Sequence, residues 1–499
     1  MPSTDAPRGS VRAPNYMVAS ADQLATSAGL EMFSKGGNAV DAAIAANAAI
    51  AVTAPHLCGM GGDLFALVHV DDANDRTQPG QTVALNASGH AGSGVNPDDL
   101  RAEGFNEMPF KNDIRSVTIP GCIDGWMALH DRFGSLPLDV ILAPARQLAA
   151  DGFPASPLLV HSLRVLDAPR RENLAELATQ ATTTGARVRR PGAALVLTGL
   201  AIGGRESFYL GAFGEGLQKL GGEQFSDLDL RLDQADWVTP LTATAFGVDL
   251  NTIGPNSQGY LTLAAARLAE RLDLPDDPDD ERWAHLLIEA AGAVAFDRPD
   301  VLHEDANGAT LLDLIDNRLD LIGLESASRR PAPAADGDTT YLCTTGTGTD
   351  GKRMGVSLIQ SNASGFGSHL VEPNTGINLH NRGMGFNLIP GHPAELSPGR
   401  RPPHTLSPAL ATRSGRLAAV FGTMGGDAQP QILLQIATRL FHHNQSPAVA
   451  INAGRWALRG PDTGFDTWTA GSPPKVRLEG HSPANWGDAL TARGHEVEA

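Results

Sequence analysis

Cysteine is scarce in this chain: the 499 residues include only Cys58, Cys122 and Cys343. An odd number of widely spaced cysteines cannot form a complete disulfide framework, which excludes the small disulfide-stabilised class of secreted domains. No apolar run approaches the roughly 18 residues that a membrane-spanning helix needs, and residues 1–20 contain no apolar signal-peptide core. We therefore expect reduced thiols, a cytoplasmic location and no membrane partner.

Positive charge is also in short supply. Lys and Arg total 38 against 56 Asp and Glu, which leaves a formal net charge of −18. This excess disfavours nucleic acids and anionic membrane surfaces as partners. Aromatic residues make up only 5% of the chain, whereas glycine occurs 55 times. Small side chains let helices and sheets approach closely, so we expect a layered α/β (α+β) fold, either as about three domains or as one large body.

The first half of the chain carries clear helix and strand signals. Residues 20–23 (SADQ) fit a capping box, which predicts a helix starting at Ser20. Asn38 is expected to cap a second helix, apolar on all sides and therefore deeply buried, that ends at Pro55. A glycine-rich turn at 58–63 then leads into a buried strand at 64–70. Helices are predicted at 139–152 and within 260–296, and a loop at 248–259.

The sharpest break in composition lies at residues 329–338 (RRPAPAADGD), which resemble a flexible linker. Strand-like runs follow at 340–345, 355–360 and 417–421. Charge changes at the same point. Residues 339–499 hold 13 Lys/Arg and 10 Asp/Glu, whereas the preceding part holds 25 and 46. This asymmetry is compatible with two polypeptides that stay associated.

One motif imitates a nucleotide-binding site. Residues 346–352 (GTGTDGK) match the phosphate-binding loop, but Arg353 stands where a Ser or Thr is needed to hold Mg²⁺. The residues that follow predict a strand instead of the required helix, so a hairpin turn is the better interpretation. No H-E-x-x-H or C-x-x-C pattern occurs either. We expect neither a cofactor nor a metal site.

The informative position is Thr339, which follows the linker directly. A threonine hydroxyl is a weak nucleophile unless a base lies beside it. Cleavage between Asp338 and Thr339 would create that base, because a free α-amine has a pKa of roughly 7.7–8. Thr339 would then combine nucleophile and base in one residue. An ordinary β-strand threonine is the alternative interpretation, and spacing alone favours it.

Ten segments in a fixed order resemble the γ-glutamyltransferase family. They are residues 21–65, 119–121 (IPG), 142–152 (LAPARQLAADG), 204–209 (GRESFY), 255–259 (PNSQG), 289–298 (EAAGAVAFDR), 338–340 (DTT), 374–377 (NTGI), 401–408 (RPPHTLSP) and 425–427 (GGD). The resemblance covers nearly the whole chain. It implies an N-terminal-nucleophile hydrolase with an αββα four-layer sandwich.

The resemblance also implies roles for individual residues. The precursor would cut itself between Asp338 and Thr339 into a large chain, 1–338, and a small chain, 339–499, that together form one domain. Thr339 would then form an acyl-enzyme that water or an amine attacks. Gly425 and Gly426 match the backbone donors that hold the oxyanion, and Ser361 matches a hydroxyl beside the nucleophile.

The sequence departs from glutamyl-specific members of this family at both ends of the substrate. Ser88 stands where an arginine would hold the substrate α-carboxylate, and Gly385 stands where an aspartate would hold its α-amine. Unpaired charges in the pocket would penalise a glutamyl substrate. The pattern is more similar to the oxamate amidohydrolase-like and cephalosporin acylase-like branch. Arg382 is then the expected partner of an acidic acyl group, with His404 and Thr405 as nearby hydrogen-bond donors.

These expectations define a self-processing amide hydrolase or acyltransferase and two alternatives. One alternative is a true γ-glutamyl transferase or glutathione hydrolase with altered recognition residues; the other is a non-catalytic binding protein on the same scaffold. The expected partners are a small-molecule amide and the other subunit of the same precursor. A higher oligomer is compatible with the sequence.

Overall fold

The structure is a computed structural model and describes residues 9–72, 74–75, 77–330, 339–348, 350–459 and 474–498. Its strands are, in chain order, β1 (Tyr16–Ser20), β2 (Asp63–Asp72), β3 (Gln81–Ala87), β4 (Phe153–Pro154), β5 (Arg187–Val188), β6 (Asp236–Val238), β7 (Leu241–Ala245), β8 (Val248–Thr252), β9 (Thr340–Thr347), β10 (Lys352–Ser361), β11 (Val371–Glu372), β12 (Ile377–Asn378), β13 (Ala409–Arg413), β14 (Arg416–Phe421), β15 (Trp456–Arg459), β16 (Lys475–Leu478) and β17 (Val497–Glu498).

The α-helices are α1 (Gln23–Ser34), α2 (Ala39–Thr53), α3 (Pro97–Ala102), α4 (Cys122–Phe133), α5 (Leu138–Asp151), α6 (Pro157–Arg164), α7 (Ala168–Asn173), α8 (Ala175–Gln180), α9 (Pro191–Gly203), α10 (Glu206–Tyr209), α11 (Ala212–Gly221), α12 (Asp227–Arg231), α13 (Tyr260–Glu270), α14 (Glu281–Ala295), α15 (Arg298–Val301), α16 (Gly308–Ile315), α17 (Gln429–Ala437), α18 (Pro447–Asn452) and α19 (Trp486–Ala492). Short 3₁₀ turns include Arg382–Gly385 and Gly426–Ala428.

Two large sheets form the centre of the fold. Within the described residues, the larger sheet has the order β1-β9-β10-β2-β3-β6 and the smaller one β14-β13-β8-β7, and all neighbours in both are antiparallel. Helices α1, α2 and α4 contact the larger sheet, and α13 contacts the smaller one and packs on α14 and α17. This arrangement confirms the αββα sandwich that the resemblance implied.

The strand β2 shows why the layers pack in this way. Leu64, Ala66 and Val68 belong to the core between the larger sheet and its helices. Phe65 and Leu67 belong to a separate core between the two sheets. Because successive side chains point to opposite faces, a strand covered on both sides must be apolar at every position. The unbroken apolar run at 64–68 is therefore the local signature of a strand inside a four-layer sandwich.

Several predicted elements are confirmed. Asn38 caps α2 by accepting hydrogen bonds from the backbone N–H groups of Val40 and Asp41, and every residue of that helix is buried. The predicted strands after the linker correspond to β9, β10 and β14, and the phosphate-loop mimic lies in the β9–β10 connection.

Two expectations were wrong. The first helix does not start at Ser20, which ends β1; Asp22 is the cap and accepts a hydrogen bond from the backbone N–H of Leu24. The predicted loop at 248–259 begins with a strand, Val248–Thr252, that pairs with both β7 and β13. Distant strand pairing decided both cases. Of the predicted linker at 329–338, residues 331–338 lie outside the described residues, as does the Asp338 side of the expected cleavage site.

Candidate active site

Thr339, Ser361 and Asp63 lie at the same end of three neighbouring strands. Thr339 directly precedes β9, Ser361 ends β10, and Asp63 begins β2, where it pairs in register with Ser361. Side chains alternate along a strand, so these three share a face with Phe65 and Ile359, which pack between the two sheets. The three polar side chains therefore lie at the mouth of the space between the sheets.

The hydroxyl of Thr339 is buried and contacts Ser361. Its Oγ1 donates a hydrogen bond to Oγ of Ser361 at 3.3 Å, and the Thr339 residue is 1% exposed. Ser361 Oγ also accepts a hydrogen bond from the backbone N–H of Ala363 at 2.8 Å. This contact orients the threonine hydroxyl. The structure thus brings Ser361 beside Thr339.

The glycine-rich turn before β2 packs directly against this site. A Cβ atom at Gly62 would lie 2.4 Å from the carbonyl oxygen of Ser361, and a Cβ at Gly61 would lie 2.4 Å from that of Asn378. No side chain fits at such distances. The two glycines therefore allow the start of β2 to lie close to the end of β10, which sets the position of Asp63 relative to Ser361.

Asp63 is the centre of a buried polar cluster. Its Oδ1 accepts hydrogen bonds from the backbone N–H groups of Gly89 (3.0 Å) and Gly121 (3.3 Å). Its Oδ2 lies 3.2 Å from Nε2 of His404 and 3.5 Å from Nδ1 of His380. Burial alone would raise the pKa of Asp63, but the two histidines outweigh it and hold that pKa well below its usual range. Asp63 is therefore ionised.

Both ring nitrogens of His404 are engaged. Nδ1 accepts a hydrogen bond from the backbone N–H of Leu406, so Nε2 carries the proton and donates a hydrogen bond to Asp63. Burial, and then the nearby Arg382 charge, lower the pKa of His404 to about 3, so the ring is neutral at pH 7. The ring also packs at a tilt on Phe65. In this arrangement His404 positions its segment and has no ring nitrogen left to donate to a substrate.

Arg382 and Thr405 meet beside this cluster. Arg382 is buried at the start of a 3₁₀ turn, and its Nη1 donates to Oγ1 of Thr405 at 3.3 Å. The carbonyl oxygen of Thr405 accepts a hydrogen bond from Nε2 of Gln258, which also donates to the carbonyl oxygen of Gly426. A single glutamine therefore links the segment that carries Thr405 to the glycine pair.

Gly425 and Gly426 adopt backbone conformations that disfavour other residues. Their φ angles are +118° and +53°, both in the left-handed region. They lead through a 3₁₀ turn into α17. Asp427, the next residue, forms a buried ion pair with Arg298 at 2.8 Å, which anchors the turn. A turn of this kind can direct successive backbone N–H groups toward one point, as an oxyanion site requires.

Comparison with known proteins identifies the family. The family model for gamma-glutamyltranspeptidase matches residues 25–499. The chain belongs to the gamma-glutamyltranspeptidase family. It is 32% identical to the glutathione hydrolase-like YwrD proenzyme of Bacillus subtilis over 98% of this chain and 92% of that protein. It is also 32% identical to the oxamate amidohydrolase proenzyme of Klebsiella pneumoniae, over 97% and 91%.

A solved structure gives the same result for the fold. The cephalosporin acylase of Bacillus halodurans superposes with a TM-score of 0.85 at 30% identity and covers 100% of this chain and 92% of that one. The chain is therefore a gamma-glutamyltranspeptidase-family enzyme with the N-terminal-nucleophile hydrolase fold. These relatives match the branch that the sequence indicated. In the described part of the chain, no helix is both long and apolar enough to cross a bilayer.

The two positions where this member departs from glutamyl-specific members are filled by neutral packing. Ser88 is buried; its Oγ donates to Oδ1 of Asn86 at 2.9 Å and accepts from Nδ2 of Asn256 at 3.1 Å. At Gly385, a Cβ atom would lie 2.6 Å from the carbonyl oxygen of Pro403. A carboxylate side chain at that position would require the Pro403 backbone to move. Neither position carries a charged side chain.

Two residues of the site, Asp63 and His380, were not predicted from the sequence. Asp63 was recognised only as the end of a glycine-rich turn, and His380 was not singled out. The cue available for Asp63 was a carboxylate at the start of an otherwise apolar strand, which burial makes costly unless it is paired. A cavity of about 330 Å³ adjoins the site through its lining residues Met384, Gly385, Pro403 and Arg298.

Proposed function

We propose that this protein is a self-processing amide hydrolase that works through a threonyl ester at Thr339. The observation that carries the proposal is the buried hydrogen bond from Thr339 to Ser361 at the mouth of the space between the sheets. The proenzyme relatives support a precursor that is cut into two chains. The cut between Asp338 and Thr339 would give chains 1–338 and 339–499.

Self-cleavage needs no reagent except water. The Thr339 hydroxyl attacks the carbonyl carbon of Asp338, the C–N bond breaks, and the acyl group moves from nitrogen to oxygen. Water then hydrolyses the ester. This leaves a carboxylate at Asp338 and a free α-amine on Thr339, which becomes the base for later turnovers.

The amide substrate follows the same chemistry. The α-amine of Thr339 accepts the hydroxyl proton while the oxygen attacks the substrate carbonyl, and the proton passes to the leaving amine. The backbone N–H groups of Gly425 and Gly426 stabilise the oxyanion. Removing one such donor typically costs about 2.7–4 kcal/mol of barrier height. Water, or an amine acceptor in the transfer reaction, then attacks the ester and frees Thr339.

The acyl group is proposed to carry one carboxylate and no α-amine. Arg382 supplies a buried positive charge beside Thr405, whereas Ser88 and Gly385 supply none. The similarity to an oxamate amidohydrolase supports this class, because the oxalyl group of oxamate has one carboxylate. His404 acts by holding Thr405 in place and does not contact the substrate.

A substrate panel tests the proposal. The purified protein is assayed with oxamate, glutaryl amides and glutathione, with and without an amine acceptor. We expect kcat/KM to be highest for an acidic acyl amide that lacks the α-amine. If glutathione is the best substrate, the result would instead support a true γ-glutamyl transferase. The similarity to a glutathione hydrolase-like protein is the observation that favours this second function. An uncleaved chain without activity would indicate a non-catalytic binding protein.

A further inference from the structure

Three side chains with metal-binding chemistry meet far from Thr339 in the sequence. His285 and Glu289 lie one turn apart on α14, so they project from the same side of the helix. His495 follows α19, near the end of the chain. One ligand atom of each lies within 4.8 Å of the others, and this is the only such group of three found among the described residues.

The two imidazoles face each other in a form suited to a metal ion. Nδ1 of His285 lies 2.8 Å from Nε2 of His495. Burial lowers the pKa of His285, and burial together with His285 lowers the pKa of His495 to about 4. Burial therefore favours the neutral form of both rings, and the neutral ring is the one that binds metals. In zinc sites the ligand bonds are about 2.0–2.1 Å long, which at tetrahedral angles places two nitrogens about 3.3 Å apart, so the two rings need to separate by about half an ångström.

Glu289 is oriented by hydrogen bonds that leave lone pairs available. One carboxylate oxygen accepts the backbone N–H of Ser328 at 3.1 Å and the other that of Gly323 at 3.0 Å. Outer hydrogen bonds of this kind fix a ligating carboxylate in place. The Glu289 side chain is buried, with no more than 4% of the residue exposed. A buried carboxylate beside two neutral imidazoles is a favourable environment for a cation.

Space for an ion adjoins the cluster. A cavity of about 30 Å³ is lined by residues that include Glu289, Ser328, Val476 and His495. About 10–15 Å³ of such volume is enough for one water-sized particle. The cavity therefore accommodates a single ion or water molecule next to the carboxylate and one imidazole.

We propose that His285, Glu289 and His495 form a binding site for Zn²⁺, separate from the catalytic centre. Two imidazoles and one carboxylate are a zinc donor set. Arg329 and Arg330 also line the cavity. The charge of Arg493 contributes to lowering the pKa of both histidines. The charges of these arginines oppose any cation, and this opposition is decisive for Ca²⁺ and Mg²⁺, which prefer oxygen ligands. Bonds from imidazole nitrogens to zinc are strong, so they favour Zn²⁺ over these oxygen-preferring ions at this site.

The proposed ion would join the two chains of the processed enzyme. His285 and Glu289 lie before residue 338, and His495 lies after it. This consequence rests on the proposed self-cleavage, but zinc binding itself does not. The uncleaved Thr339→Ala precursor should bind zinc as well as the processed protein does, which separates a failure of the zinc site from a failure of the proposed function.

The test measures metal directly in the full-length protein. Protein purified without chelators is analysed for bound metal by mass spectrometry, stripped, and titrated with Co²⁺ as a spectroscopic substitute and with Zn²⁺ in competition. We expect about one zinc ion per molecule and the visible absorption bands of low-coordinate Co²⁺. His495→Gln and Glu289→Gln should weaken binding by at least about 100-fold, since even second-shell changes cost 10–100-fold.

Two further variants make the result decisive. His495→Cys keeps a metal ligand, so it should retain the ion and add a thiolate-to-cobalt absorption band, which a folding defect would not produce. His442→Gln, at an exposed histidine beside His443, is the matched control and should bind normally. If wild-type protein neither retains zinc nor responds to Co²⁺, or if His495→Gln binds as tightly as wild type, the site does not exist. The 2.8 Å contact is then a hydrogen bond between two histidines.

Discussion

The carboxylate of Asp63 accepts a hydrogen bond from Nε2 of His404 at 3.2 Å and so joins the larger sheet to the segment that carries Thr405. The same carboxylate accepts two backbone N–H groups on its other oxygen. Through the hydrogen bond between Asp63 and His404, β2 fixes the position of the residues that are proposed to recognise the acyl group. This hydrogen bond gives Asp63 a testable role in recognition, which does not require contact with the substrate.

We expect Asp63→Asn to raise KM and lower the thermal unfolding midpoint while self-cleavage persists. An amide cannot accept a hydrogen bond at every position where the carboxylate does, and each buried donor left unpaired costs about 1–3 kcal/mol. Asp71→Asn is the matched control. Asp71 lies buried at the other end of the same strand and pairs with Arg353, so its loss should lower stability and leave KM unchanged. Equal effects of both variants on KM would remove the special role of Asp63.

Arg382 is expected to determine preference for an acidic acyl group. Arg382→Gln should lower kcat/KM for such an amide by about 10–100-fold, since a hydrogen bond to a charged group contributes about 1.5–3 kcal/mol. The loss should appear in KM, and self-cleavage should be retained. Arg382→Lys keeps the charge without the planar fork, and we expect it to lie between wild type and Arg382→Gln. Unchanged kcat/KM in Arg382→Gln would contradict this assignment.

Activity should rise with pH because the proposed base is an α-amine. The amine must be neutral to accept a proton, so the rate should increase through roughly pH 7–8, or below that range if burial lowers the amine pKa. Initial rates measured across pH 5–9 test this. A chelator should leave the initial rate at 25 °C unchanged, because no step uses a metal. If zinc binds at the His285 cluster, chelation should lower only the unfolding midpoint.

The stability of the folded protein should decrease as the pH drops below about 6.5, for a reason unrelated to catalysis. Burial lowers the pKa of His56 to about 4. His56 in the folded protein therefore stays neutral at pH values below about 6.5, where the same residue in the unfolded chain binds a proton. The unfolded state therefore binds more protons, and stability is lost as the pH falls from 6.5 toward 4. At pH 5 the loss is about 2 kcal/mol at 1.36 kcal/mol per pH unit. His56→Leu should reduce the difference in unfolding midpoint between pH 7.5 and pH 5, whereas the exposed-site control His161→Gln should not.

Much of the fold was predictable because its signals are local. The capping of α2 by Asn38 depends on residues 38–41 alone, and the buried strand at 64–70 follows from its composition. The errors arose where distant pairing decided the outcome. Ser20 fits a helix cap locally, but its pairing with Leu342 keeps it in a strand. Val248–Thr252 is short and partly polar, and its pairing with β7 and β13 makes it a strand.

The residues of the candidate site also fall into a part that local sequence predicts and a part that depends on distant contacts. Thr339, the glycine pair and Arg382 follow from motifs that are continuous in sequence. The cluster around Asp63 does not, because His380 and His404 reach it from more than 300 residues along the chain. The His285–Glu289 spacing on α14 can be read from the sequence, whereas the approach of His495 from the end of the chain cannot.

The central claim is that Thr339 becomes the first residue of a separate chain, and N-terminal sequencing with intact mass analysis of the purified protein tests it most directly. The account predicts two chains, 1–338 and 339–499, the second beginning Thr339-Thr340-Tyr341. It also predicts that Thr339→Ala stays uncleaved and inactive, while Thr339→Ser retains some of both activities. An active, intact 52.2 kDa chain, or a small chain that begins at any other residue, would contradict it.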